Sequence, residues 1–224
     1  MGQAIGQILS FAVGVAIGPV PVIAVVLMLA TPRGRVNATS FLGGWIAGIA
    51  VLGTIVLLVA GGASAAHHGT PARWVSILKI VLGALLWLLA IRQWRARPRH
   101  GREAPLPGWM KAIDSFTATR SAAMGLALGS VNPKNLLLVI AAAAAIAQTG
   151  AKTLSQAVAL AVFILVATVG VGAPVTISLL MPARATAILS GLRDWMARHN
   201  AAIMTVICLI IGAKLIGDAI TALA

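Results

Sequence analysis

Long apolar runs alternate with short polar stretches along the whole chain. Six of them, at roughly 4–30, 38–61, 74–94, 121–147, 153–180 and 201–223, approach or exceed the length a helix needs to cross a bilayer. The polar stretches between them carry turn residues. Thr31-Pro32-Arg33-Gly34-Arg35 follows the first run, Gly61-Gly62-Ala63-Ser64 the second, and an Arg- and Pro-rich segment from Arg95 to Pro107 separates the two halves. The pattern predicts an all-α integral membrane protein with six transmembrane helices.

Two of the six runs are interrupted. Ser130-Val131-Asn132-Pro133-Lys134-Asn135 lies in the middle of the fourth, and Gly18-Pro19-Val20-Pro21 in the first. Proline removes a backbone donor and clashes with the preceding turn, so both helices are expected to break. In hydrocarbon such a break is tolerated only against protein or a wet cavity. Asn132 suits the cap of a new half-helix, with Pro133 in its first turn, and Gly18 and Pro19 take the same places in the first run. Two half-helix N-termini facing one another would make a site for an anionic group, with Lys134 beside it. The alternative is a pair of proline kinks that only shape the bundle.

The halves read as copies. Pro19 corresponds to Pro133, and Gly83-Ala84 and Ala90-Ile91 correspond to Gly212-Ala213 and Ala219-Ile220. Each unit has three spans, an odd number, so the copies are expected to have opposite orientations, the inverted repeat of many secondary transporters. This divides the chain into a first repeat (1–95), a basic cytoplasmic linker (96–120) and a second repeat (121–224).

Composition agrees with the membrane assignment. The chain is 60% hydrophobic and 9% charged, with a mean hydropathy of +1.00. A soluble domain has about a quarter charged residues. The net charge of +13 could suggest nucleic acid, but here it first reports topology. Arg33 and Arg35, the group from Arg92 to Arg120, and Arg184, Arg193 and Arg198 all fall in odd-numbered loops or at their edges. The even-numbered loops carry only Arg73 and Lys152. The odd loops are therefore expected to be cytoplasmic and both termini extracytoplasmic, in a cell inner membrane. No Lys or Arg precedes the first run, so the first helix is expected to be retained rather than cleaved.

Two cytoplasmic segments have helical apolar spacing: Trp109, Ile113 and Phe116, and Ile188, Leu192 and Trp195. They suit short helices lying on anionic membrane lipids, or loops packed against the bundle.

Other ionisable residues inside the spans are Lys79, Lys214 and Asp218. Lys214 and Asp218 are four apart on one helical face and can pair, and Lys79 can snorkel. The same three could instead gate or couple transport. With Lys134 they leave an excess of positive charge in the membrane, which favours a phosphate, sulfate or carboxylate headgroup over a cationic substrate. Small-residue seams at Gly14/Gly18, Gly44/Gly48, Gly125/Gly129 and Ala141 to Ala145 permit close helix approach. Pro174, after Gly170 and Gly172, adds a flexible point in the fifth span.

Nothing points to an enzyme or a cofactor. There is no Gly-rich phosphate loop ending in Gly-Lys-Ser/Thr. Cys208 is the one cysteine, and Glu103 and Asp114 sit among arginines. His67-His68, His100 and His199 are too scattered for a metal site.

Six spans, Gly18-Pro19-Val20-Pro21 and Asn132-Pro133-Lys134-Asn135 resemble the LysE superfamily of exporters. Within it the chain is most similar to the actinobacterial GAP or Sap branch, the glycopeptidolipid- and sulfolipid-addressing proteins. Amino-acid exporters of the superfamily usually carry Pro-Gly-Pro in the first helix, where this chain has Ile17-Gly18-Pro19. Its redox-conducting members use cysteines that are missing here. The resemblance implies a flippase-like exporter of an anionic lipid or glycolipid, alone or with a larger lipid-export machinery, and no nucleic-acid partner. An amino-acid or small-solute exporter and a non-transporting membrane scaffold are the alternatives. The expected substrate-binding residues are Gly18, Pro19, Pro21, Asn132, Pro133, Lys134 and Asn135. Lys79, Pro174, Lys214 and Asp218 are the expected gating or coupling set.

Overall fold

The computed structural model describes residues 2–65, 73–97 and 108–223. His67, His68, His100, Glu103 and the neighbouring arginines at 99 and 102 lie outside them. The described residues are helical, with no strand.

The first apolar run forms two helices, α1 (Gly2–Ala16) and α2 (Pro19–Leu29), which meet at 43°. The second and third runs form α3 (Gly34–Ala65) and α4 (Arg73–Arg95). A 3₁₀ helix (Gly108–Ser115) ends the linker. The fourth run is again split, into α5 (Ala118–Ser130) and α6 (Pro133–Gln148), bent by 60°. The fifth and sixth runs form α7 (Thr153–Leu180) and α8 (Pro182–Leu223). Four helices are long and apolar enough to cross a membrane singly, and the two bent pairs bring the possible spans to six.

Exposure is inverted relative to a soluble protein. Leu58, Leu154, Leu165 and Leu180 are each at least 70% exposed. So much apolar surface on helices of this length calls for a lipid solvent rather than water. The molecule is a multi-pass membrane protein.

At the centre stands α6, whose residues from Ala141 to Ala147 are all buried. A helix apolar on every face belongs in the middle of a bundle, and its alanines leave room for neighbours to close in. It packs against α1, α3, α4, α5 and α7. The first half of each broken span lies along an unbroken helix, α5 on α3 and α1 on α7, while α4 packs along α8.

The glycine seams explain these pairings. A Cβ at Gly44 would overlap the Ala122 carbonyl oxygen, and one at Gly48 would lie 2.6 Å from that of Leu126. From the other side, a Cβ at Gly125 would overlap the Phe41 carbonyl oxygen, and one at Gly129 would lie 2.9 Å from that of Trp45. The two seams therefore face each other, and α3 and α5 touch backbone to backbone. Gly83 and Gly212, matched between the halves in sequence, also meet in space. A Cβ on Gly83 would lie 2.8 Å from the Gly212 oxygen, and one on Gly212 3.0 Å from the Gly83 oxygen.

Three expectations are refined. The segment carrying Ile188, Leu192 and Trp195 is not a separate element. It is the first part of α8, a continuous helix of 42 residues. Pro182 suits its first turn, and no proline interrupts the run that follows. At 1.5 Å per residue it is about 63 Å long, roughly twice the hydrocarbon thickness. Ala185, Leu189 and Met196 are buried, whereas Ile188 and Trp195 face outward. The last part of the linker packs against the bundle. Met110 and Ile113 are buried, and Asn37 Nδ2 donates to the Phe116 carbonyl at 2.9 Å. Pro174 is buried within α7, and the helix runs through it without a break.

Candidate functional site

Each break is built from local chain chemistry. In the fourth span α5 ends as the Val131 and Asn132 amides both turn back to the Ala127 carbonyl. Asn132 then caps α6. Its side-chain oxygen accepts from the Lys134 amide at 3.2 Å, and Pro133, which has no amide hydrogen, stands first in the new helix. Asn135 ties the halves together by donating from Nδ2 to the Leu128 carbonyl at 2.8 Å. Its other side-chain atom, Oδ1, is fully buried with no protein partner. In the first span Gly18 is extended (φ −99°, ψ 107°) and Pro19 opens α2, with Pro21 buried in the same first turn. The expected cap positions are those found.

The two breaks meet. Lys134 is 3% exposed, and its Nζ donates to the carbonyl oxygen of Gly14 at 2.7 Å. Gly14 belongs to the last turn of α1, where carbonyls have lost their partners in the next turn and the helix dipole is negative. The ammonium of one break thus neutralises the end of the half-helix at the other. Gly18 is beside it: a Cβ there would lie 3.3 Å from Nζ. Gly170 of α7 closes the same place, since a Cβ on it would overlap the Ala16 carbonyl oxygen. Pro174 has no amide to offer the Gly170 carbonyl four residues earlier, so the α7 ladder is open beside the end of α1.

Lys214 and Asp218 pair along α8 at 2.6 Å, as their spacing requires, and both are partly exposed. Lys214 Nζ also lies 5.4 Å from the centre of the Phe11 ring. Phe11 and Gly14 are three residues apart on α1, hence on neighbouring turns of one face. The ion pair and the buried lysine therefore contact the same stripe of α1. Lys79 lies on α4, which packs along α8, the helix that carries the pair. Pro174 belongs with the central break rather than with this cluster.

Sequence reasoning did not assign Gly14 as the acceptor for Lys134 or Gly170 as the wall of the first break. Both glycines were visible only as close-packing or flexibility signals.

The arrangement is a helical membrane protein with two broken spans joined at a buried lysine. Residues 8–221 match the family described as Sap, sulfolipid-1-addressing protein, and the chain belongs to that family. No curated protein and no solved structure matches it.

Proposed function

We propose that this protein is a secondary-type transporter that exports or flips an anionic lipid or glycolipid across the inner membrane. It would be built as two inverted three-helix repeats of LysE superfamily type, with both termini extracytoplasmic. The observation that carries this reading is the Lys134–Gly14 bond, which joins the two breaks at one buried cation. Membership of a sulfolipid-addressing family supports a lipid as the cargo. The inverted repeat is supported by the paired packing of α5 on α3 and α1 on α7, and by the contact of Gly83 with Gly212. Matched residues touch one another where a two-fold axis passes.

Lys134 holds the Gly14 carbonyl, and an incoming sulfate or phosphate competes for the same ammonium. Both bonds are charge-assisted through the ammonium, but only the headgroup also brings a full opposite charge, whose attraction in the low-dielectric interior favours the exchange. Asn135 Oδ1, an acceptor without a donor, would take a hydroxyl of the headgroup. Gly18, Pro19, Pro21, Asn132 and Pro133 shape the two half-helix ends around it. Lys214, over the Phe11 ring on the same face of α1, would report or gate the change together with its partner Asp218 and with Lys79. Tails stay in the bilayer, beside the apolar outer surface.

Reconstituted liposomes test this. Purified protein should move a fluorescent sulfated glycolipid between leaflets faster than it moves a zwitterionic analogue, and should not take up radiolabelled amino acids. Amino-acid uptake without lipid movement would replace the proposal with a small-solute exporter. No movement of either by the purified protein would leave a scaffold for a larger machinery.

A further inference from the structure

At the basic end of the bundle four elements converge on a cavity of about 480 Å³ that no part of the central site reaches. Its walls are the end of α2, the turn into α3, the end of α7 and the first turns of α8. The volume falls within the range of about 300–1,000 Å³ typical of small-molecule sites. Three arginines line it, Arg33, Arg35 and Arg193, and no carboxylate does. Arg193 is paired with Asp194 at 2.7 Å. Among the described residues, Arg33 and Arg35 have no ion-pair partner.

Their charge is not used to finish α2 either. The Met28 carbonyl accepts from both the Thr31 amide and the Thr31 hydroxyl, and the Leu27 carbonyl accepts from the Ala30 amide. The turn is tight, because a Cβ at Gly34 would lie 2.6 Å from the carbonyl oxygens of Leu29 and Met28. Arg33 and Arg35 are thus held on either side of a fixed glycine at the cavity wall. Opposite them, the hydroxyls of Ser178 and Thr186 have no protein partner among the described residues.

The rim has the opposite character. Leu179, Leu180 and Met181, between the lining residues Ser178 and Pro182, are 50%, 76% and 43% exposed, and Val36 is 58% exposed. Arg33, Arg35 and Thr186 are exposed at the mouth of the cavity and Ser178 is buried in its wall, so cations and hydroxyls set beside exposed apolar side chains match an amphiphile whose head docks there while its tail stays in the leaflet. The position matches as well. One helix of 11 residues, α2, joins the cavity to the central break. At 1.5 Å per residue it is about 16 Å long, half the hydrocarbon thickness.

We infer that this cavity is the loading site for the sulfate or phosphate monoester head of a lipid from the leaflet at the basic face, taken up before the headgroup reaches Lys134. The inference rests on the transport reading for the second step only; binding in the cavity stands or falls separately. The full chain in phosphatidylcholine nanodiscs doped with sulfatide gives the test, with bound sulfatide counted by native mass spectrometry. Arg33→Gln with Arg35→Gln should weaken sulfatide binding by about tenfold or more. Arg95→Gln with Arg97→Gln removes the same charge away from the cavity and should leave binding unchanged. Lys134→Met should retain sulfatide while losing its movement between leaflets.

Undiminished binding in the Arg33/Arg35 variant would overturn the inference. So would an equal loss in the Arg95/Arg97 variant, which would mean general attraction to a basic surface. Displacement of sulfatide by inorganic sulfate at matching concentration would also overturn it, by making the cavity a site for the free anion. Binding lost in the Arg33/Arg35 variant, with no leaflet movement even in the unaltered protein, would support the cavity and reject the transporter.

Discussion

Gly43 and Gly44 are neighbours on α3, yet adding a methyl group should have opposite effects at the two. At Gly43 a Cβ meets nothing within 4 Å, whereas at Gly44 it would overlap the Ala122 carbonyl oxygen of α5. Replacing a mid-helix glycine by alanine favours the helix by roughly 0.5–1 kcal/mol, and this gain is common to both variants. The difference between them therefore isolates the contact. Overfilling a packed interface costs about 1–3 kcal/mol, because α5 must retreat from the dispersion contacts it makes along the seam. Gly43→Ala should be neutral or slightly stabilised and Gly44→Ala should lose about 1–3 kcal/mol relative to it. On the scale of soluble domains of 150–250 residues that is a separation of several degrees in Tm, about 2–4 °C per kcal/mol. Tryptophan-fluorescence melts of the two variants in one detergent measure it, with buried Trp45 next along the chain as reporter. Equal melting temperatures would refute the backbone-to-backbone seam. The seam matters for function because α5, pressed on α3 at Gly125 and Gly129, sets where Asn132 can begin α6.

Further expectations follow from the same geometry. Lys134→Met should change Tm by only a few degrees, because the lost bond to Gly14 is offset by removal of a buried charge, and comparison with Lys134→Ala separates this from the cavity left by truncation. Asn135→Ala should destabilise by about 1 kcal/mol through the lost bond to Leu128, and faster amide exchange at residues 128–135 would show the break loosening. Lys214→Ala and Asp218→Ala should each cost less than about 1 kcal/mol because both groups are partly exposed; a double-mutant cycle on transport rate decides between a gate, which shows coupling, and a purely structural pair. Gly170→Leu should block close approach to Ala16 and lower both Tm and transport, whereas Gly172→Ala, which meets only ordinary contacts, should be tolerated.

Local signals in the sequence were reliable where one residue type forces one outcome. Pro19 and Pro133 each follow a residue that can cap a new helix, Gly18 and Asn132, whereas Pro174 follows Ala173 and is carried inside α7, so the two breaks were legible with their positions. The spacing of Lys214 and Asp218 determined their pairing in the same way. Glycines four apart announced close packing, but not that Gly44 and Gly48 would face Gly125 and Gly129. That choice depends on helices distant in sequence.

The same limit hid the partner of Lys134. A buried ammonium needs an acceptor, but the chain offers many carbonyls, and only the approach of α1 to α6 selects that of Gly14. The length of α8 was hidden for a different reason. Arginines interrupt its apolar pattern at Arg184, Arg193 and Arg198, yet charge does not end a helix once it leaves the hydrocarbon. The basic-end cavity was illegible because its walls come from two stretches far apart in sequence, 26–36 and 178–193, and Arg33 and Arg35 alone read only as topology signals.

The account turns on Lys134 as the cation an anionic headgroup must meet between the two breaks. Leaflet-to-leaflet movement of a fluorescent sulfated glycolipid, in liposomes holding equal amounts of folded wild-type or Lys134→Met protein, tests it most directly. The account predicts movement with the wild type and only the protein-free rate with Lys134→Met. Equal rates for the two proteins, both above the protein-free rate, would contradict it.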